Sequence, residues 1–125
     1  MLMCKTLLWL DDWRNPIDNP EWVKMFCPQA FFENWDILWA KNYNEFVDIL
    51  DSKGLPDYIC FDHDLADESE NEKTGYNCAQ HLVDYCIVHQ FPIPDFNVQS
   101  ANPVGKERII GFLTGWKKYY ESKNS

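Results

Sequence analysis

The stretch Thr6–Asp12, TLLWLDD, decides the fold of this chain. A short apolar run that ends abruptly in two carboxylates is typical of a buried strand in a parallel sheet. The same design returns at Tyr58–Asp64, YICFDHD, where a second apolar run ends in an acid, a histidine and another acid. The two runs therefore predict adjacent parallel strands whose carboxyl ends both carry acidic side chains.

Strand-like and helix-like segments alternate along the rest of the chain. Trp35–Ala40 and Phe96–Gln99 have the length and composition of two further strands. The predicted helices begin near Pro20, with Asn44 as a cap, at Thr74 and at Pro103. This alternation predicts an α/β fold: a flavodoxin-like three-layer sandwich with a parallel sheet of about four strands in the order 2-1-3-4. Ile87 and Ile110 are assigned to the apolar faces of the last two helices.

Length and composition fit a single globular domain over residues 1–125. The chain has 125 residues, of which 46% are hydrophobic and 25% charged, and its sequence contains no internal repeat. Its 20 acidic and 11 basic residues give a net charge of −9. Because a chain this acidic lacks clustered Lys and Arg, no extended nucleic-acid footprint is expected. The net charge does not exclude a small anionic ligand at one local site.

The cysteines and the apolar runs indicate a cellular setting. Five cysteines, an odd number without a C-x-x-C pair, lie mostly inside apolar runs. This pattern favours buried thiols in a reducing compartment over a disulfide framework. No apolar run approaches the ~20 residues of a membrane helix, and the first residues resemble neither a signal peptide nor an anchor. We therefore expect a cytoplasmic protein without a membrane partner, of undetermined oligomeric state.

Three of the four predicted strands end in polar residues that can do chemistry. The ends are Asp11–Asp12, Asp62–Asp64 and Ser100–Asn102, and parallel strands bring them to one edge of the sheet. Four neighbouring carboxylates repel each other unless a cation or a shared proton lies between them. Oxygen ligands favour Mg²⁺, Mn²⁺ or Ca²⁺ over zinc. The alternative for any single acid is an ordinary helix cap or a solvated loop residue.

Two further features suit a phosphate chemistry at this edge. His63, between two acids, is a candidate general acid or base, the alternative being a hydrogen-bonded loop histidine. Ser100–Lys106, SANPVGK, leads from a strand into a helix and resembles an anion cradle with Ser100, Asn102, Gly105 and Lys106 as its polar or close-approach positions. It lacks the P-loop pattern, so an ordinary capped helix is the alternative.

Arg14 and two aromatic residues adjoin the predicted site. A guanidinium at position 14 suits a phosphate oxygen, and its alternative is an ion pair with Asp11 or Asp12. Trp13 and Tyr76 are candidates for stacking on a base, with packing in the core as their alternative. The other aromatic residues, Trp9 and Trp39 among them, are assigned to the core.

At these residues the chain resembles a known family. An acid pair, a later acid and a hydroxyl residue at successive strand ends are similar to the receiver domain of response regulators. LDDWRNP, DHDL, the TGYN helix start and SANPVGKER together resemble a narrower family, the cyclic-phosphate processing receiver-like domain. The resemblance covers nearly the whole chain. One departure is Ala66, where the pattern has glycine, and another is the lack of an evident fifth strand with its lysine.

The resemblance implies a function and a set of roles. Receivers bind Mg²⁺ through the acid pair and the strand-3 acid, which implies a divalent cation, Mg²⁺ or Mn²⁺, at Asp11, Asp12 and Asp62. The family implies hydrolysis of a small cyclic phosphate, from a nucleotide, an RNA end or ADP-ribose, in RNA repair or nucleotide signalling. On this hypothesis Asp62, His63 and Asp64 are catalytic. The phosphate is held by Arg14, Ser100, Asn102, Gly105 and Lys106.

Two other functions stay open at the level of sequence. One is a non-catalytic receiver-like module that binds a partner or a nucleotide, favoured by the missing fifth strand and its exposed sheet edge. The other is a receiver that accepts a phosphoryl group on Asp62, disfavoured by the missing lysine. The sequence also does not distinguish direct attack by water from a covalent intermediate on Asp62.

Overall fold

The computed structural model describes residues 5–65 and 73–123. Within them, the strands are all parallel and pair in the order β2-β1-β3-β4. The strands are β1 (Thr6–Leu10), β2 (Asp36–Ala40), β3 (Tyr58–Phe61) and β4 (Asp95–Val98). The helices are α1 (Glu21–Phe26), α2 (Pro28–Phe32), α3 (Tyr43–Lys53), α4 (Gly75–His89) and α5 (Pro103–Lys123). The predicted fold class and strand order are confirmed. Cys4 and Ala66 lie outside the described residues.

The core has two layers because side chains along each strand alternate between the faces of the sheet. In β1, Leu7 and Trp9 pack with Val23 and Ala30 under α1 and α2. Leu8 and Leu10 face the opposite side, where α3, α4 and α5 supply the buried residues Phe46, Leu50, Leu82, Ile109 and Leu113. Helices therefore cover both faces of the sheet, as the three-layer prediction requires. None of the helices in the described part of the chain is long and apolar enough to span a membrane.

The structure corrects three local predictions. Asn42 caps α3, its side chain accepting a hydrogen bond from the Glu45 amide at 2.9 Å, and Asn44 lies inside the helix. The first predicted helix ends before Cys27–Pro28, as these two residues indicate, but the short helix α2 that begins at Pro28 was not predicted. The exposed fractions of Ile87 and Ile110 are 53% and 37%, because each follows a buried-face residue by one position, a rotation of about 100°.

The strand register places the chemical residues at one level. Trp9 pairs with Cys60 and Phe61 with Val98, so Asp11, Asp62 and Gln99 follow the three strands side by side. Two backbone hydrogen bonds continue the sheet beyond the strands: the Asp11 amide donates to the Ala40 carbonyl at 3.0 Å, and the Gln99 amide to the Phe61 carbonyl at 2.8 Å. The backbone pairing of the sheet therefore extends to Asp11 and Gln99, the residues that follow β1 and β4.

The cap at Asn42 predicts a stability difference between two asparagines. We expect Asn42→Ala to lower the free energy of unfolding by about 1 kcal/mol, because an amide of the first turn of α3 loses its acceptor. Asn44→Ala should change it little, because Asn44 is exposed within the helix. Urea unfolding followed by far-UV circular dichroism measures both. A larger loss for Asn44→Ala than for Asn42→Ala would contradict the assignment of the cap.

Candidate functional site

Three carboxylates converge at the carboxyl ends of β1 and β3. Asp11, Asp12 and Asp62 each have one carboxylate oxygen within 4.8 Å of those of the other two. Asp11 and Asp62 are buried, and Asp12 is half-buried. A donor set made only of carboxylate oxygens suits a hard divalent cation such as Mg²⁺ or Mn²⁺. The chemistry of these residues therefore fits the cation that the sequence analysis expected.

The Asp11 carboxylate is held by four hydrogen bonds. The Trp13 and Arg14 amides donate to Oδ1 at 3.1 and 3.0 Å. Arg14 Nη1 and Gln99 Nε2 each donate to Oδ2 at 2.9 Å. The ion pair with Asp11, the alternative considered for Arg14, is therefore present. It offsets part of the negative charge that the acid pair brings into the site.

Two tryptophan side chains fix the turn after β1. Trp9 Nε1 donates to the Arg14 carbonyl at 3.1 Å, and Trp39 Nε1 donates to the Asp11 carbonyl at 2.8 Å. A buried indole N–H needs an acceptor, and here the acceptors belong to the turn that carries the acids. Sequence analysis assigned both residues to the core alone. Their rings do pack there, but their N–H groups also position the site.

The carboxyl group of Asp62 has a strongly raised pKa. Its pKa is raised to about 7, first by burial and then by the neighbouring charges of Asp11 and Asp12, while the Arg14 guanidinium lowers it. At neutral pH, a carboxyl with this pKa alternates between holding a proton and being ionised. Near neutral pH the Asp62 carboxyl is therefore protonated in part of the molecules.

His63 and Asp64 form a hydrogen-bonded pair beside Asp62. His63 Nδ1 lies 2.8 Å from Asp64 Oδ1, and Asn102 Nδ2 donates to the same oxygen at 3.3 Å. Chiefly because of the hydrogen bond with His63, the pKa of Asp64 is lowered. His63 Nε2 is buried and has no hydrogen-bond partner within the described residues. The pair therefore presents one ring nitrogen with its hydrogen-bonding capacity unused.

Two glycines allow helices to approach the Asp62–His63 segment. A Cβ at Gly75 would lie 1.9 Å from the Asp62 carbonyl oxygen, and a Cβ at Gly105 would lie 2.3 Å from His63 Cγ. The first turns of α4 and α5 thus pack directly on the catalytic candidates. Gly105 was expected to let the backbone approach a phosphate, and the structure gives it this contact with the imidazole ring. Gly75 was recognised only as part of a helix start.

The predicted phosphate-binding segment is partly occupied by its own hydrogen bonds. Asn102 Oδ1 caps α5 by accepting from the Gly105 amide at 3.0 Å, and Ser100 Oγ accepts from the Asn102 amide at 3.1 Å. Lys106 lines a surface pocket beside β4 with Phe26 and Phe96. Within the described residues, no ion pair joins Lys106 to Asp11 or Asp62. Asn102 therefore caps the helix, as the capped-helix alternative expects, and a phosphate contact of Asn102 or Lys106 stays a prediction.

The two stacking candidates have different surroundings. The side chain of Trp13 is 62% exposed, and the Arg14 guanidinium lies 4.4 Å from its ring centroid. The ring of Tyr76 is half-buried, with the Arg108 guanidinium 4.4 Å from its centroid. Trp13 is thus accessible to a ligand, whereas Tyr76 already contacts a cation.

The chain is similar to one protein family and, in its fold, to several solved structures. The family model of the cyclic-phosphate processing receiver domain matches residues 6–115. No curated protein matches the chain. The receiver domain of the Francisella response regulator 1452 is 12% identical, with a TM-score of 0.50, and the match covers 95% of this chain and 98% of that one. A yeast Spc42 coiled-coil fusion is 15% identical, with a TM-score of 0.55 and coverage of 98% and 82%. At these identities the structures show the fold alone.

The contact between Gly105 and His63 predicts opposite effects for two glycine substitutions in α5. We expect Gly105→Ala to lower the free energy of unfolding and to shift the imidazole NMR signals of His63, because its methyl group would overlap the ring. Gly111→Ala should raise stability by up to about 1 kcal/mol, because Gly111 has open space around it in the same helix. Equal stability of the two variants, with unchanged His63 signals, would contradict the contact.

Proposed function

We propose that this chain, which belongs to the family of cyclic-phosphate processing receiver domains, is a metal-dependent hydrolase that opens a small cyclic phosphate diester. The substrate class comprises nucleoside 2′,3′-cyclic phosphates, RNA ends with such a group and cyclic phosphates of ADP-ribose. These compounds arise in RNA processing and nucleotide signalling. All share a strained five-membered ring in which phosphorus is bonded to two ribose oxygens.

The main support for this proposal is Nε2 of His63, the residue that follows Asp62, which is buried and has no hydrogen-bond partner within the described residues. Asp64 contacts Nδ1, and in neutral histidine a proton held there leaves a lone pair on Nε2. A buried nitrogen without a partner is costly in a protein interior unless a ligand uses it. A histidine oriented by a carboxylate is a common general base, and its protonated form is a general acid.

The acidic cluster supplies the second part of the site. Asp11, Asp12 and Asp62 would hold Mg²⁺ or Mn²⁺, and the bound cation would neutralise charge on the phosphate and polarise it. Without a positive partner, an anionic substrate would be repelled by these carboxylates. The positive charge of Arg14 lies next to the cluster, and its buried Nε has no hydrogen-bond partner within the described residues. Arg14 therefore has a donor available for a phosphate oxygen.

The proposed reaction is a hydrolysis in which one P–O bond replaces another. The oxygen of a water molecule bonds to phosphorus while Nε2 of His63 takes the proton of that water. The bond from phosphorus to one ribose oxygen breaks, and the imidazolium returns the proton to that oxygen. The product is a ribose phosphate monoester with a free neighbouring hydroxyl. In this scheme Asp64 orients the imidazole, and Asn102 orients Asp64.

The remaining predicted residues have supporting roles in the proposal. Ser100 Oγ accepts a hydrogen bond from the Asn102 amide, so its own proton remains for a phosphate oxygen. The exposed ring of Trp13 is the stacking surface for a base, at the edge of the cluster. The net charge of −9 supports a small substrate, because a long RNA would be repelled. Four buried, unbridged cysteines support the cytoplasm as the setting: Cys27, Cys60, Cys78 and Cys86.

Hydrolysis followed by ³¹P NMR tests the proposal. The substrates are 2′,3′-cyclic nucleotides, an ADP-ribose cyclic phosphate and 3′,5′-cyclic nucleotides, each with Mg²⁺, Mn²⁺ or EDTA. We expect cation-dependent ring opening that Asp62→Asn abolishes. His63→Gln should lower kcat by about 100-fold or more, since it removes the acid and base. His81→Gln is the matched control, because His81 also contacts an aspartate, Asp51 at 3.4 Å, outside the site.

Two outcomes would decide against parts of this proposal. If the folded, cation-bound protein opened none of these rings, the chain would be a binding module rather than an enzyme. If His63→Gln and His81→Gln reduced kcat equally, the role of the histidine would be wrong. Turnover of a chiral cyclic phosphorothioate in ¹⁸O-labelled water distinguishes the two forms of hydrolysis. Inversion at phosphorus indicates one displacement, by water directly, and retention indicates two displacements through a covalent intermediate on Asp62.

A further inference from the structure

The two arginines of this chain both lie against aromatic rings at the carboxyl edge of the sheet. Arg14 follows β1, and its guanidinium lies 4.4 Å from the ring centroid of Trp13. Arg108 lies in the second turn of α5, after β4, and its guanidinium lies 4.4 Å from the ring centroid of Tyr76. The proposed reaction assigns Arg14 to the cyclic phosphate and gives Arg108 no role.

The pair of Arg108 and Tyr76 adjoins the segment that carries His63. Gly75, the residue before Tyr76, packs on the backbone of this segment, and a Cβ there would lie 3.0 Å from His63 Cα. Gly105 packs on the imidazole ring and precedes Arg108 by three residues. Residues three apart share one face of a helix and are separated by about 4.5 Å along its axis. Arg108 therefore lies one helical turn beyond the contact with the imidazole.

The charge of Arg108 has no carboxylate partner within the described residues, although the chain has 20 acidic residues and only 11 basic ones. Arg108 is exposed, and an exposed contact between a cation and a ring adds little to stability. The ring of Tyr76 is itself held by Phe112, with 5.2 Å between the two ring centroids. The fold therefore positions this guanidinium without using its charge.

The chemistry of a guanidinium beside a phosphate site indicates the ligand. Guanidinium groups bind phosphate through paired, charge-assisted hydrogen bonds. Because the cyclic phosphate is assigned to Arg14, a second phosphate of the same substrate is the group that fits Arg108. The proposed substrates differ in this respect. A nucleoside 2′,3′-cyclic phosphate has a free hydroxyl at the 5-position of its ribose, whereas an RNA end and an ADP-ribose cyclic phosphate both carry a phosphate group there.

We propose that Arg108 binds a phosphate group on the 5-oxygen of the ribose that carries the cyclic phosphate, and so determines substrate specificity. The inference rests on the proposed function and narrows its substrate class to riboses that carry both groups. Tyr76 is a positioning residue in this subsite, since it contacts the guanidinium and not the substrate. A local positive charge of this kind lets a chain with a net charge of −9 bind a substrate with two phosphate groups.

Hydrolysis of a matched pair of substrates tests the subsite. Adenosine 2′,3′-cyclic phosphate and its 5′-phosphate differ by one phosphate group only. We expect this group to raise kcat/KM by about 10-fold in the wild type, chiefly through a lower KM, because it adds charge-assisted hydrogen bonds. Arg108→Gln should abolish the preference, and Arg108→Glu should reverse it. Lys5→Gln is the matched control, because Lys5 also lies against a ring, that of Trp35 at 5.4 Å, but at the opposite edge of the sheet.

Two further substrates distinguish the sources of such a ribose. One is a dinucleotide that ends in a 2′,3′-cyclic phosphate, and the other is ADP-ribose 1″,2″-cyclic phosphate. The substrate with the higher kcat/KM in the wild type identifies an RNA end or ADP-ribose as the source. For either one, we expect Arg108→Gln to lower kcat/KM by about 10-fold, since both carry a phosphate group on the 5-oxygen.

Failure of the subsite and failure of the proposed function give different results. Equal kcat/KM for the two members of the matched pair in the wild type would overturn the subsite. A preference that Arg108→Gln retains, or that Lys5→Gln loses to the same extent, would overturn the role of Arg108. In these cases ring opening itself would still occur. If the wild type opened neither ring, the proposed function would fail, and this inference with it.

Discussion

The structure depends on the burial of two carboxylates, Asp11 and Asp62, side by side at the ends of adjacent parallel strands. The register of β1 and β3 leaves no other place for them, and burial raises the cost of charging both. Two neighbouring side chains and one proton reduce the free energy needed to keep these two carboxyl groups buried. Arg14, in the turn after β1, forms an ion pair with Asp11, and the side-chain amide of Gln99, after β4, donates a hydrogen bond to it. The pKa of Asp62 is about 7, so this carboxyl keeps its proton at lower pH. The site that results holds a buried carboxyl that is partly protonated near neutral pH.

The catalytic candidates lie in a segment that is closely packed between two helices. The segment after β3 runs between the first turns of α4 and α5, and at each contact the helix residue is a glycine. The imidazole of His63 is thereby held against α5, with Asp64 on Nδ1 and no hydrogen-bond partner for Nε2 within the described residues. The turn after β1 brings the positive charge of Arg14 to the buried carboxylate of Asp11.

Much of the fold could be read from local patterns. Apolar runs ending in acids identified β1 and β3, and glycine, proline and asparagine signals located most helix starts. Other helix boundaries could not be predicted because two neighbouring residues carried the same signal. Asn42 and Asn44 are both good caps, and only the register of α3 decides between them. The end of α1 at Cys27–Pro28 was predicted, whereas the short helix α2 that starts at Pro28 was not.

The candidate site was predictable where chemistry lies at strand ends, as with Asp11, Asp12, Asp62 and His63. It was not predictable where partners meet only in three dimensions. Gln99 is separated from Asp11 by most of the chain, and a glutamine after a strand carries no signal of its own. The indoles of Trp9 and Trp39 were recognised as core residues, but their acceptors depend on the path of the turn. The spacing of Lys106 suggested a phosphate ligand but carried no sign of the surface pocket beside β4 that this residue lines.

On the proposed function, a cation that binds at the cluster replaces the proton on Asp62. Calorimetric titration of Mg²⁺ in buffers of different ionisation enthalpy measures the protons released on binding. Below pH 7 the metal-free protein holds a proton on Asp62, so about one proton should leave per cation at pH 6. The release should fall toward zero as the pH rises above 8, because Asp62 is then already ionised. In Asp62→Asn the release should be absent. A pH-independent proton count, or the same release in Asp62→Asn, would contradict the account.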